Sequence, residues 1–152
     1  MDKSKLEELF QLLEKKLIVV KRSLELSRED SIEAQKTAMT SWSGAGDRRH
    51  SAQQLEIIED NYESIKKLHN EIGKVLSKNK EKRVKVPCFV VIEVENRQEE
   101  FFIVDNVINI KEFKLVSSKS PYVKNILGKR VGDLVTIKKS KGSEEGKIIR
   151  IN

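Results

Sequence analysis

The sequence predicts an α+β protein, in which an N-terminal antiparallel α-helical coiled-coil hairpin precedes a small antiparallel β-sheet domain with one short helix. In the first half, apolar residues recur at steps of three and four. In the second half, Val, Ile and Phe concentrate in short runs. Charged residues make up 36% of the 152 residues and aromatic residues only 5%. This composition is poor in core material for one globule but suits a helical pair with a narrow apolar seam.

The first predicted helix carries a single apolar stripe, with no Pro or Gly for about ten turns. An isolated helix of this kind is only marginally stable, so the stripe requires a partner. Large residues give way to small ones along it, which predicts a thinner and less stable end toward the turn. The stripe consists of Leu6, Leu9, Leu13, Leu17, Val20, Leu24, Ser27, Ser31, Ala34 and Ala38.

The second predicted helix supplies that partner, and a short segment of turn-forming residues at 40–47 separates the two helices. His69 falls at a seam position, where we expect a packed ring and not a metal ligand. We therefore predict a hairpin over residues 1–80 with its tip at about 41–48. The apolar stripe of the second helix consists of Leu55, Ile58, Tyr62, Ile65, Ile72 and Leu76.

The predicted sheet domain covers residues 84–152 and follows a charged linker at 78–83. Runs rich in Val, Ile and Phe predict the strands. Residues 96–98 are predicted to connect the first two strands, and a polar loop at 140–146 is predicted to precede the last. A short helix is predicted after Ser120 and Pro121, with Ser120 as N-cap and Gly128 after the last turn. The predicted strands are 84–94, 99–104, 113–117, 134–138 and 147–151.

The charges are distributed unevenly along the chain. Of the net charge of +6, residues 1–80 contribute +1 and residues 81–152 contribute +5. This excess favours an anionic partner, although solubility alone explains it equally well. The N-terminus has no apolar signal core, and no apolar run is long enough to span a bilayer, so we expect a cytoplasmic protein without a membrane partner.

The residues that usually carry chemistry are sparse. Cys88 is the only cysteine, which excludes an intramolecular disulfide and a cysteine-cluster metal site, and we expect a buried thiol. No Ser-His-Asp set, zinc-ligand spacing or phosphate-binding glycine loop is present. We therefore do not expect the chain to be an enzyme by itself.

Residues 114–133 closely resemble the C-terminal domain of the GreA/GreB transcript-cleavage factors. In that family a strand leads into Ser-Pro, a short helix ends in Leu-Gly-Lys, and Val-Gly-Asp precedes the penultimate strand. The looser similarity covers residues 84–152, and the hairpin matches the family in length, order and position. The resemblance implies an FKBP-like fold that docks on bacterial RNA polymerase. It assigns the docking contacts to Ser120, Pro121, Tyr122, Leu127 and Gly128.

The resemblance also implies how the tip of the hairpin acts. In the family the coiled coil enters the secondary channel of the polymerase, where two tip carboxylates help to hold a second magnesium ion and a water for hydrolysis of backtracked RNA. It implies RNA polymerase as the partner, indirect contact with nascent RNA, and magnesium shared with the polymerase as the sole cofactor. We expect a monomer.

The tip of this sequence departs from the family pattern, which reads Gly-Asp, two residues, then Glu-Asn. Asp47 matches the first carboxylate, but His50 stands in place of the second. An imidazole nitrogen suits zinc or copper far better than magnesium. Arg48 and Arg49 add positive charge where a cation must bind. Ordinary cleavage stimulation is therefore not expected, and both a weak stimulator and an inhibitor of transcription remain open.

Each tip residue also has a purely structural interpretation. Asp47 is a candidate N-cap of the second helix, and Ser51 with Gln54 forms an alternative capping box. Arg48 and Arg49 are either solvated or contact RNA phosphates, and His50 is then a solvent-facing residue of the first turn. Trp42 either packs across the helix ends or contacts a partner.

Two other functions compete with the Gre-type hypothesis. An RNA-binding adaptor would use the basic C-terminal domain. An FKBP-like chaperone or prolyl isomerase would need an aromatic-lined apolar pocket. The second is disfavoured, because the C-terminal half has one Tyr and no Trp.

Overall fold

The computed structural model describes residues 3–38, 44–77 and 82–152. Two long helices precede a small sheet, which confirms the predicted α+β class. The chain divides into two compact units: one consists of Leu12–Lys67, and the other of Met1–Gln11 together with Leu68–Asn152. The elements are α1 Lys3–Ala38, α2 Gly44–Leu76, β1 Cys88–Val94, β2 Arg97–Val104, β3 Leu115–Ser117, α3 Pro121–Lys124, β4 Leu134–Lys139 and β5 Gly142–Ile151.

The two long helices bury part of the apolar stripes that the sequence predicts, and the other described residues of the stripes are half-buried. Small residues continue the stripe of α1, where Ser31 is 7% exposed. Leu68, which has no place in the predicted stripe of α2, is fully buried. Neither helix contains, within the described residues, an apolar stretch long enough to cross a membrane. The buried apolar residues of the two helices are Leu6, Leu9, Leu13, Leu24, Ile65, Leu68 and Ile72.

Contacts between the helices join early residues of α1 to late residues of α2, as an antiparallel pair requires. The Phe10 ring lies 3.2 Å from the position a Cβ would take on Gly73, and it stacks on the His69 ring at 4.2 Å between centroids. The stacking confirms the packed histidine. Farther along α1, the Arg28 guanidinium lies 3.4 Å from Glu59 Oε1. This ion pair is exposed and contributes little to stability.

The five strands form one sheet in the order β3-β2-β1-β5-β4. The pairs β1/β2, β1/β5 and β4/β5 are antiparallel, but β3 runs parallel to β2. The sheet is therefore mixed, and the prediction of a wholly antiparallel sheet is wrong at this edge. The physical reason is the connection at residues 105–114, which is long enough to bring the chain back beside Phe102 before β3 begins, so that β3 runs along the last residues of β2 in the same direction.

Strand boundaries near the turns differ from the predicted ones. The β1–β2 turn is Glu95-Asn96, not 96–98, and Glu95 adopts a left-handed φ of 54° there. The predicted seven-residue loop at 140–146 is also wrong, because β5 already begins at Gly142 and pairs along β4 from Lys139 to Leu134. Polar residues extend this hairpin because strand pairing depends on backbone groups and does not require apolar side chains.

The main core of the sheet domain lies between one face of the sheet and the segment that contains α3, where Val123 of α3 and Ile126 just after it are both fully buried. On the other face, Phe89 and Phe102 are 2% exposed and their rings lie 4.9 Å apart. The central strand β1 is thus buried on both faces. Gly146 is required where β5 crosses β1, because a Cβ would lie 2.7 Å from Ile92 Cγ2.

Glu71 of α2 is the buried carboxylate of this unit, with 8% of the residue exposed. Its Oε1 accepts the Asp105 backbone N–H at 2.6 Å, and its Oε2 accepts the backbone and side-chain amides of Asn106 at 3.1 and 3.0 Å. Burying a carboxylate is costly unless donors satisfy its oxygens. These three bonds supply the donors and fix the end of β2 on α2.

Glu71→Ala should lower the free energy of unfolding by about 2–4 kcal/mol. The substitution removes a charged acceptor and leaves the part-buried amides of Asp105 and Asn106 without their hydrogen-bond partner. Urea denaturation followed by circular dichroism measures the change. The matched control is Glu56→Ala, an exposed glutamate of the same helix, whose replacement should change stability by no more than about 0.5 kcal/mol. Equal effects of the two substitutions would contradict the role assigned to Glu71.

Cys88 should be chemically inert in the folded protein. Burial raises the pKa of its thiol to about 12, although a hydrogen bond from the Lys85 backbone opposes the shift. At pH 8 the thiolate fraction is then on the order of one in ten thousand. Mass spectrometry after iodoacetamide treatment should show native protein unmodified over an hour and denatured protein fully modified. Rapid labelling of native protein at pH 8 would refute this assignment.

Candidate functional site

The sequence-predicted docking residues lie on one continuous stretch, residues 117–128, which we call the docking segment. A tight turn opens it, in which the Ser120 N–H donates to the Ser117 carbonyl at 3.0 Å. Pro121 then occupies the start of α3. Ser120 caps the helix through its backbone only, because its side chain makes no capping hydrogen bond. Ser120 is therefore the N-cap, as the sequence predicts, and its carbonyl accepts from the N–H groups of Val123 and Lys124.

The docking segment ends at Gly128, where φ is +79°. A side chain is strained in this left-handed conformation, so glycine is the residue that suits the position. The Gly128 N–H donates to the Val84 carbonyl at 2.9 Å, and the Val84 N–H donates to the Lys129 carbonyl at 2.8 Å. These two hydrogen bonds attach the end of the docking segment to the backbone of Val84, the first residue after the linker.

The docking segment alternates between anchors and exposed residues. Val123 and Ile126 are fully buried. Pro121 is exposed and so is Leu127, at 38%. An exposed leucine directly after buried anchors is available to a partner without rearrangement of the segment.

Tyr122 is half-buried against the sheet. Its ring meets Phe101 edge-on with 5.4 Å between centroids. Burial, together with the negative charge of Glu99, raises the pKa of the Tyr122 phenol to about 12. Glu99 itself lies between Lys114 at 3.6 Å and Lys139 at 3.9 Å. Tyr122 therefore stays neutral at physiological pH.

The docking segment is connected to α2 through polar contacts. Ser118 Oγ donates a short hydrogen bond to Asp105 Oδ1, and the Ser118 N–H donates to the Val104 carbonyl at 2.9 Å. The Asp105 N–H in turn donates to Glu71. The start of the segment is thus linked to a helix of the hairpin by a chain of two residues, Asp105 and Glu71. The sequence does not reveal this chain, because acidic residues at positions 71 and 105 look like ordinary surface residues.

A second exposed surface lies beside the docking segment. Arg83 and Arg130 are exposed and stand directly opposite each other in an isolated antiparallel bridge. Two like charges in this arrangement disfavour the pairing unless an anion lies between them. Val131 and Leu134, which are 56% and 62% exposed, follow closely in the chain. The sequence pattern did not assign any of these four residues to an exposed surface.

At the tip, α2 begins at Gly44, so Asp47 already lies in its first turn and Ser51 lies inside the helix. Neither residue is at the N-cap position, and both capping interpretations are therefore wrong. His50 and Arg49 are exposed. The Gln54 side-chain amide donates to His50 Nε2 at 3.1 Å, in the tautomer in which this nitrogen accepts.

Three of the tip calls lie beyond what the structure describes. Trp42 is outside the described residues, and the side chains of Asp47 and Arg48 are outside the described side chains. Within the described part of the chain, no group of three His, Cys, Asp or Glu side chains is placed to hold a metal ion. His50 is therefore the described tip residue that bears on metal binding, and its ring is engaged by a neighbour on its own helix.

Comparison with known protein families identifies the C-terminal domain. Residues 78–152 match the family described as "Transcription elongation factor, GreA/GreB, C-term". The chain therefore carries a GreA/GreB C-terminal domain. This result confirms the resemblance found in residues 114–133. The docking segment lies inside the GreA/GreB domain, and so does the bridge between Arg83 and Arg130.

Three solved structures are similar to this chain at low identity, over 66% to 94% of its length. GreA factor homolog 1 (Gfh1) of Thermus thermophilus is 17% identical, with 94% of each chain covered and a TM-score of 0.41. Gfh1 of Thermus aquaticus is 21% identical over 88% of this chain and 91% of that one, with a TM-score of 0.44. An elongation factor GreA/GreB from Nitrosomonas europaea is 18% identical over 66% and 91%, with a TM-score of 0.42. No curated protein sequence matches significantly. The family assignment therefore rests on the GreA/GreB domain and not on these structures.

The stability of the GreA/GreB domain should depend on the anchors and not on the exposed leucine of the docking segment. Val123→Ala should destabilise the protein by about 1–3 kcal/mol, because it removes buried methyl groups and leaves a cavity. Leu127→Ala should change the free energy of unfolding by less than about 0.5 kcal/mol. Urea titrations of both variants make the comparison. A large loss in the Leu127 variant would show that this side chain is structural.

Proposed function

We propose that this protein is a Gre-type regulator of transcription elongation that binds bacterial RNA polymerase. The GreA/GreB domain docks on the polymerase through the docking segment, and the tip of the hairpin enters the secondary channel. The observation that carries the proposal is the family assignment of residues 78–152. The exposure of Pro121 and Leu127 on buried anchors supports it, because a docking surface must be both accessible and rigid.

The docking segment suits recognition of a protein. Leu127 offers an apolar contact, and Tyr122 offers the exposed part of a neutral aromatic ring. Lys119, at the opening turn, adds an exposed positive charge next to Ser120 and Pro121. Apolar contact surrounded by polar groups is typical of protein interfaces. The positive charge favours an acidic counterpart on the polymerase.

The tip determines what the bound factor does. A second magnesium ion in the polymerase active site would need hard, anionic oxygen ligands. The tip sequence supplies one carboxylate, Asp47, while His50 offers a nitrogen and Arg48 and Arg49 repel a cation. These residues do not fit a magnesium site. We infer that the factor occupies the channel without promoting transcript cleavage, and that it slows elongation or competes with cleavage factors. Any chemistry on RNA belongs to the polymerase.

One alternative has an observation in its favour. The opposed pair Arg83 and Arg130 is suited to binding phosphate. Each guanidinium group can bind a phosphate group through two parallel hydrogen bonds. An RNA-binding adaptor would use this pair, and binding to free RNA as tight as binding to polymerase would support it. The chaperone hypothesis gains no such support. The aromatic residues Phe89, Phe101 and Phe102 are buried against one another and their neighbours, and do not line an open pocket.

The missing second carboxylate can be restored by His50→Glu. On purified, backtracked elongation complexes, the wild-type protein should leave the RNA unshortened. The His50→Glu variant should increase the rate of RNA shortening at least several-fold, because two carboxylates can then share a magnesium ion with the polymerase. Gel analysis of end-labelled RNA measures the rate.

Gln53→Glu is the matched control, because it adds a carboxylate at an exposed position of the same helix turn. It should leave cleavage unchanged. Efficient cleavage by the wild-type protein would refute the assignment of the tip, and failure to bind polymerase would refute the whole proposal. Binding without cleavage by either variant would show that factors other than carboxylate number disable the tip.

A further inference from the structure

Two arginines lie opposite each other where the start of the GreA/GreB domain meets the residues just after the docking segment. They are Arg83 and Arg130, which form an isolated antiparallel bridge, and we call them the arginine pair. Directly opposed residues have Cβ atoms about 4.5–5.5 Å apart and project their side chains to the same side. Both arginines are exposed. Their positive charges repel each other, so an anion that binds between them stabilises the bridge.

The backbone around the arginine pair is fixed by hydrogen bonds. The Val84 N–H donates to the Lys129 carbonyl at 2.8 Å, and the Gly128 N–H donates to the Val84 carbonyl at 2.9 Å. The Asp133 N–H donates to the Arg130 carbonyl at 3.1 Å. Both arginine side chains therefore extend from fixed backbone positions, which lowers the entropic cost of holding a ligand between them.

The two chain segments that meet at the arginine pair are basic. Residues 82–92 contain three basic residues and residues 113–132 contain five, and neither segment contains Asp or Glu. Within the described residues, no ion pair neutralises either arginine. Asp133 contacts this site, where its Oδ2 accepts the backbone N–H of Arg130 at 2.8 Å. One carboxylate beside two guanidinium groups leaves the site positively charged.

We propose that the arginine pair binds a terminal phosphate group, as carried by a phosphate monoester or by pyrophosphate. Each guanidinium group has parallel N–H donors that fit two phosphate oxygens. A terminal phosphate has three acceptor oxygens and a charge of about −1.5 to −2 near pH 7, which matches two guanidinium groups. A carboxylate or an internal phosphodiester has a single charge and two such oxygens, and therefore satisfies the pair less completely.

Two sources can supply a terminal phosphate. One is a small phosphate compound, such as pyrophosphate or a nucleoside polyphosphate, and the other is the 5′-phosphorylated end of an RNA. An RNA-binding adaptor would instead use internal phosphates and would have no preference for a chain end. The inference goes beyond the proposed function and does not depend on it.

Isothermal titration calorimetry of the full chain with sodium pyrophosphate at low ionic strength tests the proposal. Wild-type protein should bind with a dissociation constant between roughly 10 µM and 1 mM. Arg83→Gln and Arg130→Gln should each weaken binding at least about fivefold, because a single guanidinium group then remains. Lys124→Gln is the matched control, since it removes an exposed charge within residues 113–132, and it should change binding less than about twofold.

Three calorimetric results would overturn the proposal. The first is the absence of pyrophosphate binding, and the second is an equal loss of binding in all three variants. The third is equally tight binding of citrate, which offers carboxylates and no phosphate.

Thermal unfolding without added phosphate tests the geometry separately from binding. Arg83→Glu places an opposite charge against Arg130, so it should melt roughly 1–3 °C above Arg83→Gln, which is neutral and of similar shape. Added pyrophosphate should raise the melting temperature of the wild-type protein and leave that of Arg83→Glu unchanged. Equal melting temperatures of the two Arg83 variants would show that the side chains at 83 and 130 do not face each other, and would refute the site.

Two short RNA oligonucleotides of one sequence, with a 5′-phosphate and with a 5′-hydroxyl group, distinguish the sources. Binding of the phosphorylated RNA that is at least about threefold tighter, with the difference lost in Arg83→Gln, would assign the site to an RNA end. Equal binding of the two RNAs, together with pyrophosphate binding, would assign it to small phosphate compounds. Equal RNA binding without pyrophosphate binding would show recognition of internal phosphates and would contradict the proposal.

Discussion

The hydrogen bonding of the Glu71 carboxylate is the constraint on which the arrangement of this protein depends most. A carboxylate that is buried in the folded chain must find donors, and these come from Asp105 and Asn106 at the end of β2. The same Asp105 binds Ser118, where the docking segment begins. One acidic residue of α2 thereby fixes the position of a loop, and that loop fixes the segment that is exposed for a partner.

A factor that contributes residues to a larger enzyme needs accurate placement more than it needs chemistry of its own. In the proposed role of this chain, the GreA/GreB domain would supply that placement through backbone hydrogen bonds, buried anchors and the glycine at position 128. The tip would supply the residues to be placed, and in its sequence one carboxylate stands where the family pattern has a pair. The proposed loss of cleavage activity follows from the ligand preference of magnesium and not from any change in the fold.

Much of the fold could be predicted from the sequence, because periodic apolar residues report burial directly. The stripes of α1 and α2 and the strands around Val90 and Ile103 follow from spacing and residue type. The parallel pairing of β3 could not be predicted, since it depends on where a ten-residue connection returns. The start of β5 at Gly142 could not be predicted either. Its first residues are polar, and they join the sheet through backbone hydrogen bonds that leave no apolar pattern in the sequence.

The candidate site was predictable only where glycine, proline and apolar positions leave a pattern, as they do in the docking segment. The Glu71–Asp105–Ser118 chain was not predictable, because a glutamate on a helix surface and a glutamate under a loop look the same in sequence. The opposed Arg83 and Arg130 were missed for a related reason. Their proximity arises from a single bridge between residues that are 47 positions apart in the chain.

Crosslinking from the tip tests the central claim most directly. A photoreactive amino acid in place of Trp42 should crosslink, in assembled elongation complexes, to the catalytic subunits of RNA polymerase near the active site. An excess of a cleavage factor that occupies the same channel should abolish this crosslink. A tip that crosslinks only to free RNA, or to nothing while the GreA/GreB domain is bound, would contradict the account.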